Sequence, residues 1–511
     1  MANRAVYFID RLLNTTTMYR LVLYVLIALV LVAALLGGIG LIPFNGFYIL
    51  ASAAFLVAIS VLANWLFART FGAAPNVESV YITALILALV INPDSPAANL
   101  GTLAWAAILA TASKYLLAFH RRHVFNPVAI AVVITSYALG RSASWWVDAP
   151  ALLPFVVSGG FLIVRKIRSF DMVWSFFFVY FAAVLVFDIM LGVDVVTAVR
   201  QSVLDSPLVF LAFVMLTEPL TAPPTRPLQM AYGGLVAFLI VPQVHVGSLY
   251  FAPELALVIA NVFAWLVSAK TNQMVRLIER HPISRDGEEF VFRQERSLRF
   301  RPGQYLEWTL PHDHPDDRGD RRFFTITSPP GVDTIAIAVE FSPRPSTFKN
   351  RLRTLEPGDT VFAAHLAGDF VLPRDPGQKL AFVAGGIGVT PFVSMVRDLL
   401  MREERRDLVL LISNKYETGV TYGDLFEQAR KDLGIRTVFT LTGAAETVPT
   451  AWPGRIGRID EALIREEIPD HAERIFYLCG SQRLVRGITG LLGHLGITGT
   501  RIRTDYFPGL P

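Results

Sequence analysis

A chain of 511 residues that is 53% hydrophobic and only 17% charged, with mean hydropathy +0.47, is too apolar to be a soluble protein and long enough for several domains. Its net charge of +4 and isoelectric point near 9.1 follow from basic residues flanking membrane segments, so nucleic acid is not an expected partner. A single cysteine, Cys479, excludes an intramolecular disulfide and an iron–sulfur cluster ligated by this chain alone, which needs about four thiolates.

The apolar character is confined to the first part of the chain. Apolar runs follow one another up to about Ser268, and beyond it charges come at ordinary globular density. The opening stretch MANRAVYFIDRLLNTTTMYR precedes an apolar run too long for a signal-peptide core, so residues 1–19 read as a cytoplasmic segment before a first anchor. A polytopic α-helical membrane domain is expected over 20–268. Its ten segments lie at about 20–42, 47–67, 78–92, 99–118, 127–140, 148–165, 171–192, 207–218, 228–242 and 251–268. Several are shorter than the ~20 residues of a full span and read as half-helices or re-entrant segments.

With the N-terminus inside, the inner connections hold Arg69, Arg121, Arg122, Arg165, Lys166, Arg168 and Arg226, against only Arg141 and Arg200 outside. That asymmetry obeys the positive-inside rule, and an even number of spans returns the C-terminal part to the cytoplasm. The expected location is therefore the cytoplasmic (inner) membrane, multi-pass, with both termini inside.

The third segment ends in LVINPDSPAAN on the outer side and the eighth in MLTEPLTAPPTRP on the inner side. Five spans separate them, which suggests an inverted five-helix repeat with a site at its interface, or else two unrelated proline-rich loops. Irregular backbone such as TEPLTAPPTRP survives at membrane depth only where protein or a polar cavity satisfies it.

Residues 1–275 contain only His120, His123 and His245. Transmembrane haem needs axial pairs three to four turns apart within helices, so its ligands are missing. His120 and His123, in FHRRHVF, read as interfacial charges. Asp188 within a span and Glu78 and Glu254 near segment ends are too few acids to favour an ion pump.

Beyond Ser268 a linker helix is expected at AKTNQMVRLIERHPIS. Short alternating strands follow: FVFRQE, LRFRPGQYLEWTL, RFFTITS, DTIAIAVEF and DTVFAAHLAGDFVLP. Turn signals between and within them suggest a small β-barrel, the linker and barrel covering 269–375. From 376 to 511 strands alternate with helices (KLAFVAGG before PFVSMVRDLL, DLVLLISN before GDLFEQAR, RIFYLCG before LVRGITGLLGHLG), which implies a parallel α/β sheet of nucleotide-binding type.

Four local patterns carry the chemistry. AGGIGVTP, Ala384 to Pro391, follows a buried strand and opens a helix, where glycines and free N–H groups suit a pyrophosphate. RRFFTITSPP offers a guanidinium, an aromatic plane and a hydroxyl at Arg322, Phe324 and Thr325, a set that suits a flavin. RPSTFKN supplies Ser346, Thr347 and Lys349 at a helix start. YLCGSQRL puts Cys479 at a strand's C-terminal end, where ligands sit in open α/β sheets.

In order and spacing these patterns resemble the ferredoxin–NADP reductase family over about Gln273 to Leu510. The resemblance implies FAD phosphates held by Arg322 and by Ser346, Thr347 and Lys349. It implies Phe324 stacked on the isoalloxazine and Thr325 near its N5. It implies NAD(P)H cradled by Gly385, Gly386, Gly388 and Thr390, with Cys479 and Gly480 beside the nicotinamide, so that Thr325 and Cys479 are the catalytic candidates. Phe507, in DYFPGL, is the candidate flavin lid. The chain departs from the family pattern at Phe324 for Tyr, Ser481 for Pro, Asp505 for Glu and Leu510 for a final aromatic residue.

The first part of the chain, about 15–268, resembles RnfD, a membrane component of the Rnf complex, and the corresponding membrane component of the sodium-pumping NADH:quinone reductase, both of which carry flavins. HVFNPVAIAVV, SGGFLIVRKIRSF and LTEPLTAPPTRPLQMAYGGLVAFLI carry the resemblance in family order. It implies a membrane flavin pocket with Asn126, Thr217, Glu218, Thr221 and Thr225 as polar candidates. Those components attach FMN through a threonine in a Ser-Gly-Ala-Thr-like stretch that this chain lacks, so a non-covalent FMN or riboflavin is expected. The expected function is a membrane-bound flavin oxidoreductase passing electrons from NAD(P)H through FAD and a membrane flavin to a quinone or an extracytoplasmic acceptor such as an FMN-carrying protein. No metal site is expected. The alternatives are an ion or solute transporter with a redox domain, and a haem-type ferric reductase.

Overall fold

The computed structural model describes residues 13, 16–71, 77–93, 96–119, 122–192, 194, 196, 199–200, 207–268, 272–313, 315–316, 319–443 and 452–507. Most of the 1–19 segment, His120 and the side chain of Phe507 lie outside the described residues. The chain divides into two compact units, Met1–Lys270 and Thr271–Pro511.

The first unit is helical. Met18–Gly38, Gly46–Phe71 and Phe170–Leu191 are long and apolar enough to cross a membrane by length and composition. Pro96–Leu116 is a further helix, and shorter ones occupy Val77–Val90, Pro127–Leu139, Leu153–Ile167, Arg226–Leu239 and Pro253–Val267. Proline stands in the first turn of several of them, where its missing N–H would have no helical partner anyway. Leu208–Phe210 continues into a π-helical turn, Leu211–Met215.

Val77–Val90 is buried from Thr83 onward and Leu208–Met215 at all but Phe213, and other parts of the chain satisfy their open ends. The Trp146 indole N–H points at the carbonyls of Ala88 and Ile91, at 3.1 and 3.0 Å, and the Ser144 and Trp145 amides donate to Val90 O. The Asp148 carboxylate accepts the Phe210 amide at 3.0 Å. Each broken helix therefore has the partner that an apolar surrounding demands for its free backbone groups. The SGG of Leu153–Ile167 is a packing device. A β-carbon on Gly160 would stand 2.5 Å from Phe213 Cβ, so only glycine lets the π-helical turn approach.

The second unit begins with a strand, Gln273–Ser284, where a linker helix was expected. Val275 and Leu277 face the core at alternate positions with Arg276 exposed between them, a period of two that a ladder rewards and a helix does not. Partners on both sides, Thr360–Ala367 and Gly287–Gln294, fix the extended conformation. The strands form a six-stranded antiparallel sheet in the order Arg321–Thr325, Tyr305–Thr309, Thr360–Ala367, Gln273–Ser284, Gly287–Gln294, Thr334–Glu340. A single bridge, Ile326 to Ile337, links the segment after the first of these to the last.

A second six-stranded sheet is parallel throughout, in the order Arg455–Ile456, Arg436–Leu441, Leu408–Asn414, Leu380–Gly385, Ile475–Ser481, Ile502–Phe507. The chain starts at Leu380–Gly385, builds outward on one side, then returns to build on the other. The order therefore reverses between Leu380–Gly385 and Ile475–Ser481, and a crevice beyond the carboxyl ends of two such strands is where open α/β sheets bind ligands.

Candidate functional site

At this switch point the Gly-rich turn and the Cys-Gly pair meet. Gly386–Val389 forms one 3₁₀ turn that runs into helix Thr390–Met401. A β-carbon on Gly388 would stand 2.5 Å from Gly480 Cα and 2.7 Å from the Cys479 carbonyl oxygen, so the two loops touch backbone to backbone. Gly386 differs. Its φ of +54° is in the left-handed region, and a β-carbon there would meet nothing nearer than Glu340 Oε2 at 3.9 Å. Of these glycines it is Gly386 whose face is open to a phosphate, whereas Gly388 serves the protein's own packing. Thr390 uses its hydroxyl on the Ile387 carbonyl at 3.1 Å and so braces the turn. Cys479 is fully buried at the strand end, and the backbone of Phe507 pairs with that of Ser481 beside it.

The flavin candidates assemble around helix Thr347–Arg353. Arg322 and Phe324 share a face. The Arg322 guanidinium lies 5.1 Å from the Phe348 ring centre, and the Phe324 ring packs 6.0 Å from it. Thr325 is buried and pairs with Tyr305. Ser346 caps the helix, its hydroxyl accepting the Lys349 amide at 3.3 Å, and Lys349 Nζ donates to the Glu340 carbonyl at 2.9 Å. Because Glu340 also borders Gly386, the flavin and nucleotide candidates are neighbours within this unit.

Asp316 was not anticipated. One carboxylate oxygen accepts from Arg322 Nη2 at 3.2 Å and the other from the Thr347 amide at 3.2 Å. A guanidinium and a helix-start N–H therefore converge on one anion, the donor set a flavin phosphate requires. The sequence signal was only an acid in a loop.

In the first unit the expected polar residues fall into two groups. Glu218 Oε1 lies 3.3 Å from His123 Nε2, and Thr221 Oγ1 donates to Glu218 Oε2 at 3.1 Å. His123 is buried, and its ring faces the Glu218 carboxylate. Asn126 caps helix Pro127–Leu139 through Oδ1, and its own amide N–H donates to Asn261 Oδ1 at 2.8 Å, whose Nδ2 donates to the Tyr232 hydroxyl. Thr217 bonds back to Phe213 O and so stays within its own helix. Among the described residues the Asn126 Nδ2 and the Thr225 hydroxyl have no protein partner, which leaves two donors for a ligand.

Lys114, Tyr232 and Asn261 were missed. Lys114 Nζ donates to Ser79 O, Ser79 Oγ and Thr83 Oγ1 at 2.7–2.9 Å. A lone lysine in the apolar run LATASKYLLAF was the available signal.

Residues 382–489 match the oxidoreductase NAD-binding domain, and residues 151–276 match the NQR2, RnfD, RnfE family. The chain is 27% identical over 215 residues to the reductase component 1 of terephthalate 1,2-dioxygenase from Comamonas sp, covering 42% of this chain and 61% of that protein. It is 30% identical over 244 residues to ferredoxin–NADP reductase B of Sorangium cellulosum, covering 45% of this chain and 96% of that protein. Its fold is similar to the FAD/NAD-binding domain of nitric oxide dioxygenase from Vibrio cholerae, with a TM-score of 0.40 and 20% identity over 46% of this chain and 98% of that one. The chain spans about three fifths of the length of the terephthalate dioxygenase reductases. It belongs to the ferredoxin–NADP reductase family, and it joins a reductase of that type to a membrane domain of the NQR2, RnfD, RnfE family.

Proposed function

We propose that this protein is a membrane-bound flavin oxidoreductase of the cytoplasmic membrane, multi-pass with both termini inside. It oxidises NAD(P)H in its C-terminal unit and delivers electrons through its membrane unit to a quinone or an extracytoplasmic acceptor, an FMN-carrying protein being one such acceptor. The observation that carries the reading is the meeting of Gly386–Gly388 with Cys479–Gly480 at the switch point.

Arg322 and the Thr347 amide would hold FAD phosphate in place of Asp316, with Ser346 and Lys349 shaping that helix start. Phe324 would lie against the isoalloxazine, and Thr325 would face its N5. Gly386 would admit the pyrophosphate of NAD(P)H, Gly385, Gly388 and Thr390 would hold the turn, and Cys479 would border the nicotinamide. When bound, FAD supplies the step from two-electron to one-electron chemistry. Phe507 is proposed as the lid. In the membrane unit Asn126, Thr225 and the Glu218–Thr221 pair would hold a non-covalent FMN or riboflavin by hydrogen bonds, with Thr217 keeping the helix end in shape.

The test is extraction and counting of flavins from purified full-length protein, followed by anaerobic titration with NADH and NADPH. Two non-covalent flavins, both bleached, support the reading. FAD alone removes the electron-transfer role of the membrane unit. Lys114, half-buried and hydrogen-bonded to Ser79 and Thr83 in an apolar helix pair, favours a second reading in which the membrane unit moves an ion. NAD(P)H-driven ion uptake by proteoliposomes would select it.

A further inference from the structure

We propose that Glu289, Arg397 and Tyr422 form a clamp that sets the spacing between nicotinamide and flavin, acting as positioning residues for hydride transfer. The proposal rests on the FAD and NAD(P)H reading above. Glu289 is on strand Gly287–Gln294 of the antiparallel sheet, Arg397 on helix Thr390–Met401, and Tyr422 immediately before helix Gly423–Leu433.

Glu289 is 5% exposed. Its Oε1 accepts from Thr327 Oγ1 at 2.5 Å, Arg397 Nη1 at 2.8 Å and the Tyr422 hydroxyl at 3.0 Å, and its Oε2 accepts from Arg397 Nη2 at 3.0 Å. Arg397 Nη1 also donates to the Thr327 carbonyl at 3.1 Å. One turn earlier on the same helix, Ser394 Oγ donates to the Ser328 carbonyl at 2.9 Å.

The partners explain what the clamp does. Thr327 and Ser328 follow, after Ile326, the strand Arg321–Thr325 that carries the flavin candidates. Arg397 lies seven residues into the helix that opens at the Gly-rich turn, about 10 Å along its axis. The network therefore joins the backbone beside Thr325 to the helix that presents the nucleotide turn. A buried ion pair is often no more stabilising than a well-packed apolar contact, so net stability does not account for its use here. A two-pronged guanidinium–carboxylate pair fixes distance and angle together, which apolar packing does not. Hydride transfer moves hydrogen with its electron pair from C4 of the dihydropyridine to N5 of the isoalloxazine. Misplacement by about 1 Å can cost about 100-fold in such a step.

The test is anaerobic stopped-flow reduction of the full-length protein by NADH and NADPH, reading both flavin bleaching and the long-wavelength charge-transfer absorbance of stacked nicotinamide and flavin. Glu289→Gln is expected to slow bleaching at saturating NAD(P)H by 10-fold or more and to weaken the charge-transfer band, while FAD content and half-saturating concentration stay within about 2-fold. Arg397→Lys keeps the charge but not the fork, and is expected to fall between Glu289→Gln and the unchanged protein. It decides the matter if Glu289→Gln does not retain FAD. Unchanged bleaching rate and charge-transfer band in an FAD-loaded variant overturn the clamp. A parent protein that NAD(P)H does not bleach overturns instead the reading on which the clamp rests.

Discussion

Both units bury carboxylates, and they hold them with different donors. In the first unit Asp148 takes the Phe210 amide, Asp188 takes the Gln243 side-chain amide at 3.2 Å, and Glu254 takes the Trp145 indole N–H at 3.0 Å. In the second unit Glu289 takes Arg397, Asp398 takes Arg402, and Glu467 takes Arg436 and Arg455. The difference follows from the surroundings. An apolar helical unit rarely accommodates a guanidinium at depth, whereas a unit of ordinary charge density does so easily. A neutral donor can still bond, more weakly, to the amide that mimics a carboxylate. A guanidinium requires the charge.

The contrast breaks or holds first on carboxylate removal. Glu289→Ala strands Arg397 and is expected to cost the second unit about 3–5 kcal/mol. Glu254→Gln leaves the Trp145 N–H an oxygen to bond and is expected to cost no more than about 1 kcal/mol. Hydrogen-exchange mass spectrometry of the full-length protein across a denaturant series reads both, and equal losses would erase the distinction. Thr327→Val, which removes a hydroxyl bonded to the charged Glu289, is expected to cost about 1.5–3 kcal/mol in the same measurement.

Acid sharpens the same point. Burial works to raise the Glu289 carboxyl, but the hydrogen bonds and charge of Arg397, with the hydroxyls of Thr327 and Tyr422, outweigh it, so the group lies below its ordinary value of 4.5. A lowered carboxyl contributes stability that is complete above the ordinary value and is lost as pH falls through the lowered one. Exchange protection of strand Gly287–Gln294 should therefore hold from about pH 9 to about pH 6 and decline only in stronger acid. A decline beginning near neutrality would show that Arg397 does not hold the charge.

Gly388→Ala sharpens the comparison at the level of backbone. Its β-carbon would meet Gly480 Cα at 2.5 Å, and backbone cannot swing aside as a side-chain tip can. The expected cost is about 1–3 kcal/mol, with NAD(P)H-dependent bleaching reduced in parallel. Stability lost with unchanged bleaching would separate the turn from nucleotide binding.

What the sequence made legible was local. Helices at the apolar runs, alternating strands and the Gly-rich turn each depend on residues within a few positions of one another. Gln273–Ser284 was misread because its alternation is short and sits beside charged residues, so that only its two neighbouring strands decide its state. The clamp was illegible for a different reason: Arg397 and Tyr422 reach Glu289 across 108 and 133 residues. Asp316 and Lys114 have the same character, since a lone acid in a loop and a lone lysine in a helix gain meaning only from the partners that folding brings.

Among the hydroxyl and backbone changes, the smallest expected effect lies in the loop that interrupts the membrane unit. Thr221 and Thr327 both donate to a glutamate oxygen, but Thr221 reaches Glu218 only three residues away, within its own turn, and Glu218 is partly exposed. Its hydroxyl therefore stabilises a local shape, whereas that of Thr327 joins distant strands. Thr221→Val keeps the volume and removes the bond, for an expected cost of about 0.5–1.5 kcal/mol. If the Glu218–Thr221 pair also holds a flavin, the variant should lose a larger share of the membrane flavin than of the FAD on extraction. Equal retention of both would confine Thr221 to the turn and leave Asn126 and Thr225 as the donors to examine.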